Sequence, residues 1–118
     1  MSERDWLLFV KDIHKSITRI LEYTNTTKSE FFNDRKTFDA VMRNLEIIGE
    51  AVKHIPADVR RKYKSVEWKK IAGLRDIVVH EYFGINEKII WDVIENKIPT
   101  LKEVQSFFHH ILIPSNQI

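Results

Sequence analysis

The stretch that sets the fold is Leu74–Gly84, which reads Leu-Arg-Asp-Ile-Val-Val-His-Glu-Tyr-Phe-Gly. Its apolar residues recur at helical spacing and predict a helix over residues 66–83, with glycine as the stop that follows it. Arg75 is followed five positions later by His80, and Tyr82 lies two positions beyond that. A guanidinium that keeps its charge, beside an imidazole that titrates near neutrality, is the smallest set of side chains that can cleave a phosphodiester without a metal.

Working outward from this helix, the rest of the chain is helical in pattern as well. The 118 residues contain only three glycines and three prolines, too few for a sheet protein with many tight turns. A first helix is expected to start after Ser2, and residues 23–27 read as a connector. Thr27 and Glu30 have the spacing of a capping box at the start of a second helix. Gly49 inside that helix weakens it, so we expect a close approach of another helix there.

Prolines and polar caps divide the second half of the chain. Pro56 should end the second helix and open a short one over residues 57–63. Ser65 is a plausible N-cap of the helix that begins at Val66, and Asn86 can cap the last helix. Pro99 must kink or split that last helix.

Four main helices plus a short one, joined by short connections, predict an all-α fold, an antiparallel up-and-down helical bundle. A chain of 118 residues is long enough for one domain with one core, so residues 1–118 are taken as a single domain. Hydrophobic residues make up 43% and charged residues 31%, as in a globular protein. The absence of cysteine excludes disulfides, thiolate metal sites and cysteine nucleophiles. We expect a cytoplasmic protein that is not inserted in a membrane.

Positive charge is concentrated directly before the Arg–His pair. Residues 60–70 hold six basic residues and one acidic residue, whereas the rest of the chain holds 13 basic and 16 acidic. Basic residues interleaved with aromatic ones suit a phosphate backbone, although a solvated helix face and loop is the alternative. The candidate RNA-binding residues are Arg60, Arg61, Lys62, Lys64, Lys69 and Lys70.

Helical spacing sorts the polar residues of the 66–83 helix into two pairs. Arg75 and Tyr82 are seven residues apart and share a face, and Asp76 and His80 share an adjacent face because they are four apart. Asp76 could therefore orient His80. The groups spread over about 10 Å along one helix, which favours a composite site formed by two copies across a two-fold axis. The structural alternative is that Arg75 pairs with Asp76 or Glu81, and that His80 and Tyr82 are interior residues.

The motif Arg75, four residues, His80, one residue, Tyr82 resembles that of the HEPN superfamily, and specifically of HepT-like toxins. A polar residue directly after the arginine is typical of HEPN proteins, and Asp76 fits. The surrounding segments 68–76 and 81–86 are similar too, as is the segment 44–51, which resembles the second helix of the family. The resemblance covers nearly the whole chain, and the extended string is far more specific than the motif alone.

This resemblance implies the HEPN bundle, a homodimer and a metal-independent endoribonuclease that needs no cofactor. It also implies that the chain is the toxin of a type VII-like toxin–antitoxin pair, acting on tRNA or mRNA. The partner would be an MntA-like minimal nucleotidyltransferase antitoxin, bound in an assembly of unknown stoichiometry, which adenylylates Tyr82. The residues suit this chemistry: His80 as general acid or base, Arg75 on the scissile phosphate, and Asp76 behind His80. The modified Tyr82 would block the groove and occupy Arg75.

Two further functions remain open, namely a non-catalytic helical partner that binds RNA or nucleotide for the transferase, and a purely structural bundle. The adjacent His109 and His110 point about 100° apart on a helix, which argues against a metal site. His14 and His54 stand alone and are expected at the surface or its boundary. Glu46 and Glu50 could line the groove, but a solvated helix face is the preferred interpretation.

Overall fold

Helices form most of the computed structural model, which describes residues 3–64, 66–82, 84 and 86–99. In chain order they are α1 (Glu3–Tyr23), α2 (Lys28–Asn33), α3 (Arg35–Val52), α4 (Ala57–Lys62), α5 (Trp68–Ala72), α6 (Leu74–Glu81), α7 (Glu87–Asp92) and a π-helical turn (Val93–Lys97). No strand occurs among the described residues. The predicted all-α helical bundle is therefore confirmed.

Two of the predicted helices are each divided in two. The second is interrupted at Asp34, whose backbone is extended and whose side chain accepts a hydrogen bond from the Thr37 amide as the N-cap of α3. Aspartate competes for backbone donors in this way, which favours a cap over a helix interior. The helix predicted over 66–83 begins at Trp68 and is interrupted at Gly73, between α5 and α6, where the lack of a side chain weakens the helix.

Most of the predicted helix ends are confirmed. The Thr27 hydroxyl accepts a hydrogen bond from the Glu30 amide at 3.1 Å, and the Asn86 side chain accepts one from the Ile89 amide at 3.3 Å. Pro56 precedes the short helix α4, as predicted. Before Pro99 the last helix changes from α to π geometry. The proposed cap Ser65, the helix end Phe83 and the last helix beyond residue 99 lie outside the described residues.

The core lies where α1 packs along α3. The ring of Phe9, near the start of α1, stacks on His54, directly after the end of α3, with ring centroids 4.2 Å apart. The two helices are therefore antiparallel. The two helices supply most of the fully buried apolar side chains, among them Val10, Ile13, Ile17, Ile20, Val41, Leu45 and Ile48. Burying such side chains is the main source of stability in a bundle of this size.

Helix α6 packs on another face of α3, also antiparallel to it. At one end a Cβ added to Gly49 would lie only 2.7 Å from the Arg75 amide nitrogen, so the helix backbones are in contact there. At the other end Tyr82 lies beside Phe38, with ring centroids 6.1 Å apart. The close approach predicted at Gly49 is confirmed, and it determines where α6 presents its polar side chains.

Candidate active site

A shallow groove of about 460 Å³ runs between α3 and α6. Two rows of side chains form its walls. The α3 wall consists of Asp39, Met42, Arg43 and Glu46, and the α6 wall consists of Val78, Val79 and Tyr82. The α3 wall thus carries two carboxylates and one guanidinium, and Tyr82 is the motif residue that lines the groove.

Arg75 lies beyond one end of this groove and is exposed to solvent. Its Nε is 3.6 Å from Oε2 of Glu50 on α3. The same carboxylate lies 3.8 Å from Nε2 of His54 and 3.9 Å from Nζ of Lys53. The alternative that Arg75 pairs with Asp76 or Glu81 is wrong, because its partner comes from α3. Glu50 is exposed, as expected, but it is paired rather than merely solvated.

His80 and Asp76 are both exposed on the solvent side of α6. The alternative that His80 is an interior residue is therefore wrong. Among the described residues, no hydrogen bond or ion pair within 4.0 Å joins the carboxylate of Asp76 to the imidazole of His80. A separation of five residues directs Arg75 and His80 about 140° apart around the helix. One copy of α6 thus presents the two groups to different directions.

Tyr82 is half-buried at the other end of the groove. Its hydroxyl donates a hydrogen bond to Oδ1 of Asp39 at 3.0 Å. Nε of Arg35 lies 3.1 Å from the same oxygen, and the Arg35 guanidinium carbon is 5.1 Å from the centroids of both the Tyr82 and Phe38 rings. Hydrogen bonding to the Tyr82 hydroxyl, together with the charge of Asp39, raises the pKa of Arg35 above its ordinary value.

Asp39 and Arg35 were not identified by the sequence reasoning. They form an i,i+4 pair of opposite charge on α3, a common arrangement on any exposed helix. Their link to Tyr82 spans 43 residues and exists only because α6 packs antiparallel on α3. A signal in the sequence was the pair of opposite charges, Arg35 and Asp39, on the same helix as Gly49, where a close approach of another helix was expected.

The basic segment occupies α4, the following turn and α5. Arg61, Lys62, Lys64, Lys69 and Lys70 are exposed, and Lys70 pairs with Glu67 at 3.0 Å. Arg60 is partly buried. Trp68 does not offer its ring as a free stacking surface, because its Nε1 donates to the carbonyl oxygens of Arg60 and Tyr63, both at 3.1 Å, and it packs against the core. The indole therefore joins α5 to α4 and fixes the basic segment beside α6.

In the part of the chain that the structure describes, no cluster of three or more histidine, cysteine or acidic residues is placed to hold a metal ion. His109 and His110 lie outside this part. None of the described helices has the length and apolar character needed to cross a lipid bilayer.

Comparison with known proteins gives a consistent assignment. The model of the family described as Ribonuclease HepT-like matches residues 13–106. A candidate RNase of Methanocaldococcus jannaschii is 46% identical over 94% of this chain and 93% of its own length. A protein named "Probable ribonuclease HepT" from Thermococcus cleftensis is 41% identical over 86% of this chain and 90% of its own length. No solved structure gives a significant match. The chain therefore belongs to the HepT-like ribonuclease family, which confirms both the resemblance seen in its motif and the predicted enzyme class.

Proposed function

We propose that this chain is a metal-independent endoribonuclease, the toxin of a type VII-like toxin–antitoxin pair, and that Arg75 and His80 carry out the cleavage. The observation that carries the proposal is the exposure of both side chains on α6, in a member of a ribonuclease family. A guanidinium and an imidazole are the two groups that such a reaction needs, and both reach solvent where a polyanion can meet them.

The reaction uses a nucleophile that RNA itself supplies, the 2′-hydroxyl. The His80 imidazole takes the proton of that hydroxyl as its oxygen attacks the neighbouring phosphorus. The Arg75 guanidinium binds the phosphate oxygens and stabilises the negative charge that develops on them. The bond from phosphorus to the 5′-oxygen breaks and that oxygen takes up a proton from water, which leaves a 2′,3′-cyclic phosphate and a free 5′-hydroxyl. DNA lacks the nucleophile and should not react.

The active unit is proposed to be a homodimer. Arg75 and His80 point in different directions on one helix, and Val79 between them leaves 62% of its surface exposed. An exposed apolar side chain in the middle of a polar functional face favours contact with another chain. Packing of α6 against the α6 of a second copy would cover Val79 and bring Arg75 of one chain towards His80 of the other. Asp76, also exposed, is proposed to orient His80 in that assembly.

The exposed basic residues before α6 are proposed to bind the RNA backbone. Arg61, Lys62, Lys64 and Lys69 reach solvent and have no acidic partner within 4.0 Å among the described residues. Phosphate contacts of this kind position an RNA without reading its sequence. Lys70 is paired with Glu67 and Arg60 is partly buried, so both should contribute less.

Tyr82 is proposed to be the regulatory site, to which an MntA-like nucleotidyltransferase antitoxin adds AMP. Its phenol lies at the end of the groove, on the residue that follows α6, and α6 itself carries Arg75 and His80. An added phosphodiester would bring negative charge and a nucleoside into the path of the RNA. The likeness to HepT-like toxins supports this step. The modified chain is expected to be inactive, and the unmodified chain is expected to cleave RNA.

The cleavage is tested by incubating total cellular RNA with unmodified protein in EDTA, beside His80→Ala and Arg75→Ala purified in the same way. Cleavage by the wild type alone, with 2′,3′-cyclic phosphate ends and an inert DNA oligonucleotide, is expected. RNA affinity of His80→Ala should remain near that of the wild type. RNA binding without cleavage by the unmodified wild type would instead favour a non-catalytic partner of the transferase.

The modification is tested by co-expressing the chain with an MntA-like transferase and measuring the intact mass. One or more AMP-sized additions are expected on the wild type and none on Tyr82→Phe. Tyr23→Phe is the matched control, because Tyr23 is an exposed tyrosine on α1 outside the groove. An undiminished addition on Tyr82→Phe would exclude Tyr82 as the regulatory site.

A further inference from the structure

The hydroxyl of Tyr82 is held by a carboxylate before any modification takes place. Oδ1 of Asp39 accepts a hydrogen bond from the phenol hydroxyl at 3.0 Å, and Nε of Arg35 lies 3.1 Å from the same oxygen. The Arg35 guanidinium also covers the Tyr82 ring. The contact is tertiary, since it joins α3 to the residue that follows α6. Asp39 keeps 45% of its side-chain surface exposed, and both Asp39 and Tyr82 line the groove.

A carboxylate that is hydrogen-bonded to a phenol is placed to accept its proton. A phenol is a poor nucleophile while it keeps its proton, because its ordinary pKa is about 10. A base that receives the proton during the attack removes this obstacle, and the base must lie within hydrogen-bond reach of the oxygen that reacts. Asp39 satisfies this requirement with respect to the Tyr82 hydroxyl, and Arg35 fixes the orientation of the carboxylate.

We propose that Asp39 is the proton acceptor for adenylyl transfer onto Tyr82, so that the toxin supplies the base for its own modification. The inference rests on the proposed modification of Tyr82 and names a second residue that takes part in it. Oη of Tyr82 forms a bond to the α-phosphorus of a nucleoside triphosphate held by the transferase. The bond from that phosphorus to the oxygen that bridges to the β-phosphate breaks, pyrophosphate leaves with the electron pair, and the phenol proton passes to Asp39.

Another carboxylate on the same wall of the groove provides the comparison. Glu46 lies seven residues after Asp39 on α3, about two turns along the same face. It lines the groove but makes no hydrogen bond to Tyr82. Glu46→Gln therefore removes the same charge from the same surface without touching the reacting hydroxyl. Asp39→Asn keeps an oxygen that can accept the hydrogen bond but cannot take a proton at neutral pH.

The test measures the initial rate of AMP addition to the tryptic peptide 76–88, with purified transferase and ATP, at pH 7.0 and pH 9.5. At pH 7.0 we expect Asp39→Asn to be slower than Glu46→Gln by about 100-fold, the usual effect of a general base. At pH 9.5 the gap should close to about threefold, because the higher concentration of hydroxide offers the proton another acceptor. Circular dichroism and melting temperature establish that both variants are folded.

Two results would overturn the role of Asp39. The first is equal rates for Asp39→Asn and Glu46→Gln at pH 7.0. The second is a deficit of the same size at both pH values, because a merely structural role has no reason to weaken as hydroxide becomes available to take the proton.

A measurement without the transferase separates this inference from the modification itself. N-acetylimidazole acetylates tyrosine phenols, and trypsin places Tyr82 in peptide 76–88 and the reference Tyr23 in peptide 20–28. The Tyr82 to Tyr23 acetylation ratio at pH 7.0 should fall about tenfold or more in Asp39→Asn and stay unchanged in Glu46→Gln. If no AMP is found on the wild type but the acetylation ratio falls as expected, the modification is refuted, whereas the role of Asp39 as a proton acceptor is not. An unchanged ratio would refute that function.

Discussion

The contact between Gly49 and α6 permits a sharp test of how the site is positioned. A Cβ at residue 49 would lie 2.7 Å from the amide nitrogen and 2.9 Å from Cβ of Arg75, and 3.2 Å from the carbonyl oxygen of Ala72. These atoms belong to the backbone or are fixed to it, so no flexible side-chain end can move aside. Gly49→Ala should therefore force α6 away from α3.

The size of the effect follows from these distances. Ordinary van der Waals contact begins at 3.4 Å, so the amide nitrogen at 2.7 Å must retreat by 0.7 Å. Overpacking of this kind costs about 1–3 kcal/mol, and the better helix propensity of alanine returns about 0.5–1 kcal/mol. A net loss of about 1–2 kcal/mol remains, equivalent to a fall in melting temperature of about 4–8 °C for a chain of this length. Since Arg75 itself is displaced, cleavage should also slow by about tenfold or more.

The assay is thermal unfolding at one fixed protein concentration, because a dimer melts at a temperature that depends on concentration. Gly84→Ala is the matched control: a Cβ added there meets no atom within 4 Å, and its backbone is not left-handed. Its melting temperature should remain within about 2 °C of the wild type, since surface substitutions usually change stability by less than about 0.5 kcal/mol. A Gly49→Ala protein as stable as the wild type would refute the reasoning that backbone contact sets the position of α6.

Two further predictions concern the same scaffold. Phe31 is fully buried among Phe32, Phe38 and Trp91. Phe31→Ala should therefore lower the free energy of unfolding, measured in urea, by about 3–5 kcal/mol. A loss below about 1 kcal/mol would contradict the importance of this aromatic packing for stability. Hydrogen bonds from the Thr37 hydroxyl and amide lower the pKa of Asp34 below 3.8, so the folded state favours the charged form. The carboxylate therefore adds stability relative to Asp34→Asn above pH 3.8, and this stability is lost as pH falls through the lower pKa of the folded state. Urea unfolding at pH 6 and pH 2.5 measures it. A difference in unfolding free energy between the wild type and Asp34→Asn that is equal at both pH values would contradict the prediction.

Local signals in the sequence were sufficient for the class of fold and for most helix ends. Thr27, Pro56 and Asn86 act through hydrogen bonds or backbone restraints within a few residues, and each ends or begins a helix where predicted. The interruptions at Asp34 and Gly73 were missed because the apolar stripe continues through both. Periodicity reports which face is buried, and a break that leaves the face in register does not disturb it.

For the candidate site too, the sequence indicated some residues and not others. The motif residues could be identified from spacing and resemblance, and the common α3-facing side of Arg75 and Tyr82 follows from their separation of seven. Their partners could not be identified, because Glu50 and Asp39 are reached only through packing between α3 and α6. The expected support of His80 by Asp76 is absent in the single chain, since i,i+4 spacing allows a contact without requiring one.

These contacts assign different tasks to the two ends of α3. Near its C-terminal end, Gly49 sets the distance to α6 and Glu50 pairs with Arg75. Near its N-terminal end, Arg35 and Asp39 hold the Tyr82 hydroxyl. The two regions are about ten residues apart, or roughly 15 Å along the helix. Substitutions that affect modification and those that affect cleavage should therefore be separable, even though both functions depend on α6. The proposed regulation would depend on this separation, because charge introduced at Tyr82 could then block the RNA path while the contact between Glu50 and Arg75 stays intact.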